Sequence, residues 1–104
     1  MDLKVTGKVA IITGGSEGIG RAAAERLSQE GALVALASRT QADLDRVAAE
    51  IQASSGHEVM GIATDVRDED SVKKLVEAVV AKWGRIDILV NNAGTSSAAT
   101  FDTM

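Results

Sequence analysis

The chain contains no cysteine, no proline and no tyrosine, and Trp83 and Phe101 are its only aromatic residues. Without cysteine there is no disulfide, no thiolate nucleophile and no cysteine-based metal site, which fits a reducing compartment. The lack of tyrosine leaves open whether the chain is an enzyme at all. There is no surplus of basic charge either: the formal net charge is −4. That balance argues against a general nucleic-acid or anionic-membrane surface, although local dipoles and one or two basic side chains can still hold a small anion. No segment approaches the roughly 18 apolar residues of a membrane span. The opening stretch from Met1 to Lys8 lacks the apolar core of a signal peptide, so a cytoplasmic location is the expectation. At 104 residues the chain is one domain or part of one.

What is present centres on the run Thr13-Gly14-Gly15-Ser16-Glu17-Gly18-Ile19-Gly20. It follows the apolar segment Val9-Ala10-Ile11-Ile12 and opens a helix-like segment from Arg21 to Leu27. A buried strand, a tight glycine turn and a helix N-terminus form a site suited to a pyrophosphate. Glycines permit positive φ and let backbone approach a ligand with no Cβ between them. The free N–H groups of the helix's first turn then point at the phosphate oxygens. The spacing G-x-x-x-G-x-G is weak alone, since glycines also mark plain turns, and gains force from the strand before it and the helix after it.

The rest of the chain alternates in the same way. Strands are expected at residues 8–13, 32–38, 58–64 and 86–90, and helices at residues 19–30, 41–54 and 68–82. Ile19, Ala23 and Leu27 form the expected apolar stripe of the first helix. Leu44, Val47, Ala48 and Ile51 form that of the second, with Thr40 as its N-cap. Val72, Leu75, Val76, Val79 and Trp83 form that of the third. The small polar stretch 94–100 reads as loop. Strands alternating with helices imply an α/β fold with a parallel sheet and right-handed crossovers. The expectation is a Rossmann-type sheet of about four strands with three helices, an incomplete half of a doubly wound fold, over residues 1–104 as one unit.

Three further features follow expected strands and so share the carboxyl edge of that sheet, where ligands bind in open α/β folds. The second strand ends in Ala37-Ser38-Arg39-Thr40, where a site for NAD usually carries an acidic residue for the ribose 2′-hydroxyl. A guanidinium pairs instead with a 2′-phosphate, and Ser38 and Thr40 add hydroxyls, so the reading is NADP over NAD. The alternative is a solvated arginine beside a helix cap. After the third strand, Asp65-Val66 could meet an adenine, or Asp65 could be a turn or capping residue. After the fourth strand, Asn91-Asn92-Ala93-Gly94 offers small residues for close backbone approach, or a simple turn.

Together, T-G-G-S-E-G-I-G after the first strand, D-V after the third and N-N-A-G after the fourth resemble the short-chain dehydrogenase/reductase family, in a ketoacyl-reductase-like form. The resemblance runs from about Lys8 to the C-terminus. It implies that Gly14, Ser16, Glu17, Gly18, Ile19 and Gly20 border the pyrophosphate and the nicotinamide-side ribose. Ser38 and Arg39 match positions that hold the 2′-phosphate in NADP-preferring members, and Asp65 and Val66 match the adenine-contacting pair. Asn92, Ala93 and Gly94 match the loop beside the riboses, and Asn91 matches a sheet-bracing asparagine. Glu17 departs from the pattern, because many NADP-binding relatives carry a basic residue there. Arg39 would then carry more of the preference.

The larger departure concerns the chemistry. The family's proton transfer uses a serine after the fifth strand and a Tyr-x-x-x-Lys pair on the next helix, and an asparagine on the intervening helix assists. None of these is in this chain, and Ser96 and Ser97 fall too early to be the family serine. His57, the only histidine, sits where the third strand begins and has no evident chemical partner. The acidic cluster Asp68-Glu69-Asp70 suits a helix start. No catalytic residue and no metal ligand are therefore assigned. The expected function is the NADP-binding portion of an oxidoreductase whose full-length form moves hydride between NADP(H) and a carbonyl or alcohol, with this chain inactive alone. The alternative is a free-standing nucleotide-binding or interaction module. Its apolar fourth strand would be an exposed edge, inviting self-association or a complementary C-terminal portion.

Overall fold

The computed structural model describes residues 4–16 and 18–92, and the backbone of residues 99–102. The described elements run β1 (Val9–Thr13), α1 (Gly18–Gln29), β2 (Leu33–Ser38), α2 (Gln41–Ser55), β3 (Val59–Ala63), α3 (Glu69–Trp83), β4 (Ile88–Asn91) and β5 (Ala99–Asp102). The sheet order is β3-β2-β1-β4-β5. The first four strands are mutually parallel, with Val9 opposite Leu33, Val34 opposite Val59 and Ala10 opposite Ile88. The expected four parallel strands and three helices are therefore present.

β5 corrects the expected loop at its C-terminal end. Residues 99–100 lie in a strand antiparallel to β4, with Asn91 opposite Ala99 and Ile88 opposite Asp102. The expected free edge of β4 is consequently paired. Composition misled here, because small polar residues bond through their backbone as readily as any other once a partner strand is in reach.

The two faces of the sheet bury different residues, as the period of two along a strand requires. Ile12, Val34, Leu36 and Val90 pack with Ala24 of α1 and with Leu44, Val47, Ala48 and Ile51 of α2. Val9, Ile11, Ala35 and Ala37 pack with Leu75 and Val79 of α3. This segregation follows from topology. The chain moves from β1 to β2 to β3 in one direction across the sheet and then jumps back past β1 to β4. Crossovers of one hand therefore place α1 and α2 on one face and α3 on the other. Every residue of β1 is buried, which explains its continuous apolar run.

Two helical stripes differ from expectation. Ile19 is 72% exposed, while Ala23 and Leu27 pack partly buried against the core, and α1 buries Gly20, Ala24 and Ser28. Val76 is likewise exposed, and α3 buries Leu75 and Val79. Thr40 occupies the N-cap of α2 but makes no side-chain cap bond. Asp68 does cap α3, its side chain accepting from the Asp70 N–H. No helix of the described residues is long and apolar enough to cross a membrane.

Candidate functional site

The direction of travel across the sheet reverses between β1 and β4, and in open α/β sheets the crevice at that reversal is where ligands sit. The glycine run leaves β1 at this point. Gly14 donates its N–H to the Ala37 carbonyl of β2 at 2.7 Å, continuing the β1–β2 pairing by one residue before the chain turns. Gly14 and Gly18 then adopt φ of +69° and +61°, values that an L side chain resists. Among the described residues, nothing lies within 4 Å of where a Cβ on Gly18 would stand.

Gly20 is the opposite case. It is buried, and a Cβ there would run into the Gly14 carbonyl and approach Asn92 Nδ2 within 3.1 Å. The first turn of α1 thus meets the glycine turn backbone to backbone, and the side-chain amide of Asn92 after β4 closes against them. Gly15 is closed off similarly by Leu36 Cδ2 and the Ile12 carbonyl.

A hydroxyl that the sequence reading passed over locks the β1 and β4 ends together. Thr13 is buried, and its Oγ1 donates to Asn91 Oδ1 at 3.0 Å while accepting the Asn92 N–H at 3.0 Å. Asn91 therefore braces the sheet end beside Thr13, and Asn92 is held facing the glycine turn. The only available signal was a threonine at the boundary between a fully apolar strand and the glycines.

Farther along the same edge lie the ends of β2 and β3. Ser38 is half-buried and Arg39 exposed, and the Ser38 carbonyl accepts the Thr64 N–H at 2.6 Å. That bond brings Arg39 and Asp65 onto adjacent strand ends. Asp65 is held by its backbone N–H, which donates to Ser71 Oγ at 2.9 Å. Its carboxylate accepts the Arg67 backbone N–H at 3.0 Å and the Arg67 guanidinium. The bonds from Arg67, reinforced by the nearby charge of Arg39, hold the Asp65 carboxyl below the usual aspartate range. Val66 is exposed next to it.

Gly14, Ser16, Gly18, Ile19, Gly20, Ser38, Arg39, Asp65, Val66 and Asn92 accordingly all lie at the carboxyl edge of the parallel strands. Glu17, Ala93 and Gly94 lie outside the described residues. His57 is at the opposite edge, where its Nδ1 meets the Ser28 carbonyl at 2.7 Å, so it has a structural partner that the sequence did not reveal. Among the described residues, no group of three or more histidine, cysteine or acidic side chains could hold a metal.

The arrangement matches known proteins. The model of the short chain dehydrogenase family matches residues 8–104. A 3-oxoacyl-(acyl-carrier-protein) reductase of Thermotoga maritima is 41% identical over 97 residues, 93% of this chain and 39% of its own length. The L-sorbose reductase of Gluconobacter frateurii, solved with NADPH and L-sorbose, superposes with a TM-score of 0.87 at 44% identity, covering 93% of this chain and 37% of that one. An NAD+-bound xylitol dehydrogenase superposes with a TM-score of 0.83 at 38% identity, covering 88% and 35%. The chain spans about a third of the length of the curated relatives it matches. With its glycine turn, its strand order and this match over nearly all its residues, the chain belongs to the short-chain dehydrogenase family.

Proposed function

We propose that this chain is the NADP-binding portion of a short-chain dehydrogenase/reductase. The observation that carries the reading is the close approach of the Gly14 and Gly20 backbone at the sheet's reversal point, with the Asn92 side-chain amide beside it and Gly18 facing open space among the described residues. A pyrophosphate there would meet the free N–H groups that start α1. Ser16 and Ile19 flank that turn, and Glu17 lies between them in sequence. Asn92, with Ala93 and Gly94 after it, would line the ribose side. Ser38 and Arg39 would take the 2′-phosphate, and Asp65 and Val66 the adenine. Arg39 has no acidic neighbour in sequence and points the choice toward NADP. The complex of a relative with NADPH supports this choice, and the NAD+-bound relative makes it worth testing.

When bound, the nicotinamide supplies the hydride, and the protein's contribution is binding and orientation. In the full-length protein the reaction would be hydride transfer between NADP(H) and a carbonyl or alcohol. This chain has no tyrosine to serve as the family's proton donor, so it would hold cofactor without turnover. The exposed Val76 and Val80 on α3 favour an additional partner layer, either a second copy or a complementary portion of the same enzyme.

An amide NMR titration with NADPH tests the placement. Shifts are expected at residues 14–20, 38–40, 65–67 and 92, with His57 and the amino-terminal strand ends silent. Shifts centred on α3 or the His57 edge would reject it. A parallel assay with NADPH and a panel of ketones should give no turnover, and sustained oxidation of NADPH would refute the inactive state.

A further inference from the structure

We propose that Arg67 is a positioning residue that fixes the Asp65 carboxylate to read the amino group of adenine. The inference rests on the NADP reading above and adds to it a residue that none of the sequence motifs contains.

Asp65 is held through both its carboxylate and its backbone. Its Oδ1 accepts both the Arg67 backbone N–H at 3.0 Å and Arg67 Nε at 3.2 Å. Among the described residues, Oδ2 has only the Arg67 Nη2 contact, at 3.4 Å, which lies beyond good hydrogen-bond length. The two oxygens are therefore not equivalent: one is anchored and the other keeps acceptor capacity. The backbone beneath them is fixed as well, since the Asp65 N–H is bound to Ser71 Oγ at the start of α3. An aspartate on an exposed loop samples several rotamers, and fixing one before a ligand arrives removes an ordering cost from binding.

The Arg67 side chain is 73% exposed and has little packing to contribute. Exposed ion pairs add little to stability. Its fork instead holds Asp65 ionised and oriented at the end of β3, beside Arg39 at the end of β2. A charged carboxylate discriminates between purines by the group at the 6-position. The amino group of adenine donates to it, whereas the carbonyl oxygen of hypoxanthine sets a lone pair against it.

The test is calorimetric titration of the 104-residue chain with NADPH, with its hypoxanthine analogue and with NADH, for the wild type, Arg67→Met and Arg67→Lys. A hydrogen bond to a charged group implies that the wild type prefers the adenine form by about tenfold or more. Arg67→Met should reduce that preference to about threefold or less, and Arg67→Lys should restore part of it. A preference unchanged in Arg67→Met overturns the inference. So does a loss of NADPH affinity relative to NADH with the purine preference intact, which would make Arg67 a phosphate contact instead. A wild type that binds NADPH but does not distinguish the purines overturns the Asp65 role and leaves NADPH binding standing. A wild type that binds neither dinucleotide overturns both readings.

Discussion

At the amino-terminal end of the central strands, Asp87 is 6% exposed, an unusual place for a carboxylate. Its Oδ2 accepts the Val9 N–H at 2.8 Å, and its Oδ1 accepts Arg85 Nη2 at 2.6 Å. The Asp87 N–H also donates to the Val9 carbonyl, so one residue ties β1 to the start of β4 through both backbone and side chain. The bond from Arg85, assisted by the Val9 N–H, holds the carboxyl below the usual aspartate range. A folded-state pKa below the unfolded one means that the stabilisation is complete above the unfolded value and is lost as pH falls through the folded one. Asp87→Asn should therefore lower stability by about 1 kcal/mol at neutral pH and flatten the acid limb below about pH 4. Denaturant unfolding at several pH values measures this, and equal losses at pH 7 and at low pH would reject the role. Neither Asp87 nor Thr13 was legible in the sequence. Both act by filling backbone positions on another strand, a relation that exists only once the register of β1 and β4 is set. The glycines were legible because their requirement is local.

Between elements, the outer edge of β3 shows how α2 protects an open sheet. Gln52 Oε1 accepts the Val59 N–H at 3.0 Å, and Gln41 Oε1 accepts the Ala63 N–H at 2.9 Å. Gln41 Nε2 also donates to the Gly61 carbonyl at 3.0 Å. Two side-chain amides thus satisfy backbone groups that would otherwise be a template for another strand. Gln41→Ala should raise hydrogen exchange at the Ala63 amide about five- to tenfold while leaving central β1 amides unchanged. Uniform loss of protection across the sheet would contradict a local role. All seven elements from β1 to β4 were readable from apolar periodicity and glycine stops, each within two residues of its observed ends. α3 ends at Gly84 and α2 at Gly56, as their positions foretold. Periodicity failed where it was asked which apolar residue faces the core. Ile19 fits the stripe of α1 yet lies exposed at the turn, because the glycine turn sets where the helix begins and hence which face is inward. β5 was missed because its strand character comes from β4 beside it.

The molecule as a whole places the proposed cofactor residues at one edge and bracing side chains at the other. The β1 and β4 ends meet at Gly14, Gly20 and Asn92, and the β2 and β3 ends carry Arg39 and Asp65. Asp87 and His57 hold the amino-terminal edge, far from the glycine turn in the fold. The motifs were visible in sequence because each follows a strand, and the sheet order turns that repetition into a single surface. Their proposed separation into pyrophosphate, 2′-phosphate and adenine regions follows from which strand each one ends. The central claim is that this edge holds a dinucleotide and prefers NADP through Arg39. Calorimetric titration of NADPH and NADH into the 104-residue chain and into Arg39→Ala tests it most directly. One dinucleotide per chain is expected, with NADPH favoured over NADH by about tenfold or more and a gap that largely closes in Arg39→Ala. Saturable binding of neither dinucleotide, or the same NADPH preference in both proteins, would contradict it.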